Sequence, residues 1–560
     1  MSLDALIERW SRGWRGPALA ALVAFLAGLP GVFAVPPLDR DESRFAQATA
    51  QMLEQEDFVV IRFQDQPRFK KPVGIHWLQA ASVSTFSDPE TRAIWTYRLP
   101  SLLGAMLAAA ACAWGAAALF GAPTGLVAGA VLGATFLLST EAFIAKTDAV
   151  LCGTTTLAIA ALARMYAEAN GGAPTGRLTR LLFWLGLSTA VLVKGPVGLL
   201  VVALTALSLW AWDRKGGWLT RLGWGWGVIL FFAIVGPWAW AVTVATDGGF
   251  WSTAIAGDLA PKLAGGQETH GAPPGYHTIA LLLLFFPATL MLPAALMLGW
   301  QGRVEPGIRF ALAWLVPSWL LFELMPTKLV HYTLPTYGAL AWLVAAAAMS
   351  KRMSPRLRVA GAGVSAFAGV LLAAGVAYLF KEYGEGSDLF ATILTALLLA
   401  GAGLAGAILL LRSVPLTALA VALGLGVLGH GALAAGLAPR LEPLWLSART
   451  EAVLAKARLL PRQGITPAPV AVAGYAEPSL VFALGTPTDL GGPVEAATAL
   501  ADARPAVVEA REQAAFEAAV KALGVKPRLI GTVNGLDYSN GDKTTLRVYA
   551  PPAEPKETSR

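Results

Sequence analysis

Charge is scarce in this chain. Asp, Glu, Lys and Arg make up only 14% of its 560 residues, against about 25% in a soluble protein. That scarcity excludes an ordinary water-facing globule. Cysteine is almost missing: Cys112 and Cys152 both lie inside apolar runs, which excludes a disulfide-stapled fold and reads them as small core residues rather than metal ligands. The net charge is +7, yet no Lys/Arg stripe with interleaved aromatics occurs, so nucleic-acid binding is excluded. No HExxH or similar helical metal motif is present.

What fills the chain instead is apolar sequence, 56% of residues. Membrane-length runs fall near 16–36, 98–120, 122–140, 149–168, 180–193, 196–212, 224–243, 277–299, 308–324, 329–349, 358–380, 388–411 and 415–437. This predicts a polytopic α-helical membrane protein with about thirteen spans. Residues 17–35 also fit a signal peptide, with Val32-Phe33-Ala34 as a small-residue cleavage site. An uncleaved span is preferred, because the run is long and the charged motif after it needs a tether.

Arg9, Arg12, Arg15, Arg177, Arg180, Arg214, Lys215, Arg303, Arg309, Lys351, Arg352, Arg356 and Arg358 fall in alternate loops, which the positive-inside rule assigns to the cytoplasm. The loop 37–97 and the tail beyond 437 then lie outside. Within that loop, Arg44 to Glu56 has helical spacing of Phe45, Ala48, Met52 and Leu53 and predicts a helix along the membrane surface. A second helix is expected over 72–86, opened by Pro72. Residues 1–437 form the transmembrane domain on this reading. Residues 438–560 regain charge and read as a small α/β domain: strand, turn and helix in VAVAGYAEPSLVFALG, strand and helix in RPAVVEAREQAAFEAAVKALG, and a closing strand in TTLRVYA. The tail has no Gly-rich phosphate fingerprint and no Ser/His/Asp arrangement, so it is expected to be a lid, scaffold or partner surface.

Ionisable residues recur at the outer ends of the spans, where they are costly and functional by default. Asp41 and Glu42, in LDRDESRFA, can serve as general base for an attacking hydroxyl; the competing reading pairs them with Arg40 or Arg44. Lys71 sits at the start of the 72–86 helix, where backbone N–H groups favour anions; its alternative is a snorkelling lysine. Asp148 is a second acid or half of an ion pair with Lys146. Lys194, before Gly195-Pro196, reaches an anion or caps its span. Lys262 lies in a Gly/Pro-rich loop and can reach a phosphate. Lys328 and Tyr332 stand at another span boundary, as ligand contacts or interfacial anchors. His270, His277 and His331 share the compartment, and His270 and His331 are weak metal candidates whose spacing matches no motif.

DESRFA, KPVG-HW, KTD, KGPVG, APPGYH…FFP and TKLVHY-LP, in that order over about 30–345, resemble the C-type polyprenyl-phosphate-sugar glycosyltransferases. The bacterial group that adds aminoarabinose to lipid A, related to protein O-mannosyltransferases, is the nearest match. The resemblance implies an inner-membrane enzyme with its site and C-terminal domain in the periplasm. It would move a sugar, with inversion, from undecaprenyl phosphate to lipid A or another envelope glycoconjugate. It makes Asp41 the catalytic acid of the Asp-Glu pair and Asp148 a second acid. Lys71 matches the lysine of a Glu-Lys-Pro motif that binds the lipid phosphate, Lys262 a phosphate-binding arginine, and Tyr332 a tyrosine of a mobile loop. Lys70 replaces the family's glutamate, which is linked to metal binding, so the resemblance implies no certain cofactor and argues against a divalent metal. Lysine for arginine at 262 keeps the charge and loses bidentate geometry. Two other functions compete: protein O-mannosylation, and transport of an anionic lipid, which would need inverted repeats and midplane charges that the sequence lacks.

Overall fold

The structure is a computed structural model that describes residues 2–38, 40–261, 271–350, 353–461, 469–538 and 540–552. A short amphipathic helix, α1 (Leu3–Trp10), precedes α2 (Arg15–Ala34). Two helices of the long loop follow, α3 (Asp41–Gln55) and α4 (Gly74–Phe86), with the hairpin strands β1 (Arg62–Phe63) and β2 (Gln66–Pro67) between them. The bundle continues through α5 (Ile94–Phe120), α6 (Ala122–Gly133), α7 (Phe136–Glu141), α8 (Asp148–Ala169), α9 (Arg177–Lys194), α10 (Pro196–Asp213) and α11 (Trp224–Ala245). Next come α12 (Tyr276–Leu284) and α13 (Ala288–Gln301), bent by 116° at their junction, then α14 (Pro306–Leu324), α15 (Leu334–Met349), α16 (Pro355–Tyr383), α17 (Gly386–Leu411) and α18 (Pro415–Arg440).

All thirteen apolar runs are helical, but not all are spans by length and composition. Among the described residues nine helices are long and apolar enough to cross a membrane, and the bent pair makes a tenth. The figure of thirteen is not reached, because α6 and α15 are short and α9 carries Arg177, Arg180 and Lys194.

α8 is the hub: 89% of its apolar window is buried, against 11% for the peripheral α11. Small residues allow its close approach to α5. A Cβ on Gly153 would meet the Gly104 carbonyl at 2.4 Å, and one on Gly104 would meet the Val150 backbone at 2.6 Å. The core continues outward through Trp314 and Trp342, whose rings meet edge to face at 5.3 Å.

The C-terminal unit holds α19 (Leu446–Lys456), β3 (Ala471–Ala473), α20 (Pro478–Leu484), β4 (Asp489–Gly491), α21 (Pro493–Ala501), β5 (Ala506–Glu509), α22 (Gln513–Leu523), β6 (Arg528–Asp537) and β7 (Asp542–Ala550). The sheet order is β4-β3-β5-β7-β6. The first three strands are parallel and the last two antiparallel, the mixed pattern of an α/β unit ending in a hairpin.

α3 differs from the expected surface-lying helix. Glu42, Ser43 and every residue from Phe45 to Met52 are buried, because α3 is sandwiched between α4 and α20. Its polar face meets the C-terminal unit instead of water. Gln47 Nε2 donates to Thr486 Oγ1 at 2.8 Å, and beside it Gln64 Nε2, at the turn of the β1–β2 hairpin, donates to the Thr488 carbonyl at 2.6 Å.

Candidate active site

Helix ends bring the candidate residues together. Asp148 is the first residue of α8 and Lys194 the last of α9, the termini where helix dipoles favour an anion and a cation respectively. Gly195, at φ +64°, turns the chain sharply after Lys194, a conformation suited to glycine. Lys194 Nζ lies 2.5 Å from Asp148 Oδ1, and Lys146 Nζ lies 3.7 Å from Asp148 Oδ2. Lys146 also pairs with Glu141 at 3.0 Å and donates to His331 Nδ1 at 3.3 Å. That bond leaves the His331 proton on Nε2, which stands 3.7 Å from Asp148 Oδ1. The Ser101 hydroxyl fixes the connecting loop through the Ile144 carbonyl at 2.7 Å.

The cluster is sealed, and burial sets its charges. Burial drives His331 well below the ordinary histidine range against the pull of Asp148, with Lys146, Lys194 and Lys71 adding to the lowering, so the ring is neutral. Burial alone would lower Lys146, but Glu141, Asp148 and, further off, Asp41 hold its ammonium above the usual lysine value. Burial pushes the Glu141 carboxyl up to about 7 against the nearby Lys146, with the Asp148 charge adding to the rise.

Asp41 and Lys71 flank this cluster, each near enough for its charge to act on a member: Asp41 on Lys146, Lys71 on His331. Asp41 opens α3, is exposed, and has no side-chain partner among the described residues. Lys71 is half-buried just before α4, which starts at Gly74 rather than at Pro72. Tyr332 places its ring 5.7 Å from Lys194 Nζ and 5.4 Å from the His331 ring.

Four expected roles change. Glu42 is an anchor, not a second base: it is fully buried and accepts two bonds from Arg98, Nε at 2.8 Å and a terminal nitrogen at 2.7 Å. It also accepts from the Ala145 and Leu38 amides at 2.7 and 2.9 Å. Lys194 is committed to Asp148 and is not a free cation for phosphate. Lys328 is buried and donates to the Met325 carbonyl at 2.5 Å, closing the end of α14. His331 has its acceptor nitrogen occupied by Lys146, so it offers no lone pair to a metal. Among the described residues no group of three or more His, Cys, Asp or Glu is arranged to hold a metal ion. Lys262 and His270 lie outside the described residues.

Sequence reasoning missed Arg98 and Glu141. The signal for Arg98 was an arginine at the start of an apolar run, which must find an acid. Its guanidinium also caps the end of α2, donating to the Val35 and Pro36 carbonyls at 2.6 and 3.1 Å. Glu141 carried no local signal. Also missed was Glu323, which stands 3.5 Å from His277, accepts from the Gly275 and Thr278 amides at 3.0 and 2.9 Å and fixes the entry to α12.

Residues 69–251 match the family model described as dolichyl-phosphate-mannose-protein mannosyltransferase. An undecaprenyl phosphate-α-4-amino-4-deoxy-L-arabinose arabinosyl transferase of Pseudomonas paraeruginosa is 30% identical over 404 residues, 69% of this chain and 70% of that protein. The protein of the same name from an Enterobacter species is 28% identical over 61% of each chain. In fold, the chain is similar to the crystal structure of ArnT from Cupriavidus metallidurans bound to undecaprenyl phosphate. The TM-score is 0.73 at 20% identity, over 98% of both chains. Spans, helix-end charge cluster and C-terminal sheet all lie within these likenesses, and the chain belongs to the undecaprenyl phosphate-aminoarabinose arabinosyl transferase family of membrane glycosyltransferases.

Proposed function

We propose that the chain transfers 4-amino-4-deoxy-L-arabinose from undecaprenyl phosphate to lipid A, at the periplasmic face of the bacterial inner membrane. One observation carries this reading: Asp41, a carboxylate with no side-chain partner among the described residues, stands beside a buried cluster of cations at the ends of α8 and α9.

In the proposed reaction an acceptor oxygen attacks the anomeric carbon from the face opposite the phosphate. The bond from that carbon to the phosphate oxygen breaks with its electron pair, and undecaprenyl phosphate leaves. Lys71 meets the departing phosphate in this scheme, with Lys194 and Lys146 supplying positive potential behind it. A phosphate needs no acid to leave. Asp41 takes the proton of an attacking hydroxyl, or orients the acceptor where it is already an ionised phosphate. Asp148 positions Lys146 and Lys194. No metal enters this scheme: Lys70 stands where a metal-linked glutamate would, and its charge repels a cation.

The experiment is transfer from a synthetic polyprenyl-phosphate aminoarabinose to lipid A in vesicles, read by mass spectrometry of the product. Lipid flux across sealed vesicles without any product would replace transfer by transport. The mannosyltransferase match over 69–251 supports one second reading, transfer to protein, and a glycosylated peptide in the same assay would select it.

A further inference from the structure

The helix that opens with Asp148 leads, at its other end, to a cavity. It has a volume of about 740 Å³ and is lined by Trp14, Leu107, Trp114, Leu157, Arg164 and Leu182, among others. Arg164 is sixteen residues beyond Asp148 on α8, roughly 24 Å along the axis at 1.5 Å per residue. The cavity is therefore separate from the candidate active site. Seven residues of α5 separate Trp114 from Leu107, so the cleft extends about 10 Å from the Arg164 level toward the middle of the bundle.

Among the described residues, Arg164 is the only charged one in the lining. One terminal nitrogen donates to the Trp114 carbonyl at 3.1 Å, and the guanidinium lies 4.8 Å from the centroid of the Trp114 ring. These contacts fix its position and use one of five N–H donors. Among the described residues no carboxylate pairs with it. Glu168, one turn further along α8, is taken by Arg221 and Thr175, and Asp213, bonded to Tyr166 of α8, is taken by Arg309. A fixed arginine without a carboxylate, at the mouth of an apolar cleft between spans, matches a lipid phosphate above and an acyl chain below.

We propose that this cleft binds one anionic phospholipid, with its phosphate on Arg164 and an acyl chain along Leu107 and Leu157. The test is native mass spectrometry and thermal unfolding of the detergent-purified full chain with phosphatidylglycerol, phosphatidylcholine or inorganic phosphate. Phosphatidylglycerol is expected to be retained and to raise the Tm, while the other two do neither. Arg164→Gln should weaken retention about tenfold or more, the loss of a charge-assisted hydrogen bond, and Arg164→Lys should fall between. Leu107→Trp keeps the charge but fills the cleft, and should also abolish retention. Equal binding of phosphatidylcholine, stabilisation by phosphate alone, or wild-type retention in Arg164→Gln would overturn the proposal. If Arg164→Gln does not fold, Leu107→Trp decides: undiminished retention in that variant overturns it equally.

Discussion

Phe482, on α20 of the C-terminal unit, meets Tyr97 of α5 edge to face, with 5.4 Å between ring centroids. Both rings are fully buried, and they share a cluster with Ala46 and Ala50 of α3 and with Ala145 of the loop that carries Lys146. The contact joins the sheet unit to the two segments that hold Asp41 and the cation cluster. Thr486 extends it, bonding Gln47 and Glu54 of α3. The C-terminal unit thus acts on the site as a clamp on α3.

Phe482→Ala should cost about 3–5 kcal/mol, the usual range for emptying a buried aromatic site. The measurement is urea unfolding in detergent, alongside steady-state transfer. A clamp predicts that kcat falls while KM for the donor holds; unchanged kcat in a folded variant would contradict it.

Breaking the pair between Glu42 and Arg98 should be more damaging than its distance from the acceptor suggests. Arg98→Met leaves a buried carboxylate uncompensated, at a cost of about 3–5 kcal/mol. Glu42→Gln with Arg98→Met removes both charges and should recover part of that loss. Thermal unfolding of the single and double variants reads it directly.

Asp41→Asn changes charge but hardly shape at an exposed helix start, so the protein should fold as before. Transfer should fall by about 10²–10⁴ if Asp41 removes a proton. Full turnover in Asp41→Asn would take this residue out of the mechanism.

His76 gives a pH dependence of known sign. Thr49 donates to Gln79 Oε1 at 2.7 Å, so the 2.8 Å bond between Thr49 and His76 Nδ1 is donated by the ring. Nε2 is buried with no partner among the described residues. Burial, helped by Arg68, lowers the His76 pKa to about 3. The folded state therefore resists a proton that the unfolded chain accepts near 6.5. Its stabilisation is full above that value and is lost as pH falls from 6.5 toward 3, by up to about 1.4 kcal/mol per unit. His76→Asn should flatten this part of the Tm–pH curve; an unchanged slope would assign the acid sensitivity elsewhere.

The clearest legible features were repetitive ones. Hydropathy located every apolar helix of the bundle, and spacing located α3 within a few residues of its observed start. Strand β6 and helix α21 went unread, because RLIGTVNGLD alternates weakly and PVEAATALA has little amphipathic contrast. The candidate site was legible as residue types at span ends. Its partnerships were not: Glu42, prominent in its charged motif, is locked to Arg98, and Glu141, which carried no local signal, pairs with Lys146.

Local sequence determined which segments are helices, where they end and which charges stand at those ends, because hydropathy, capping and breaker residues act within a few turns. Tertiary structure decided which of those charges meet. Lys194 reaches Asp148 across 46 positions and His331 reaches it across 183. Such neighbours are selected by helix packing around α8, where close backbone approach and exclusion of water fix both the distance and the strength of each pair.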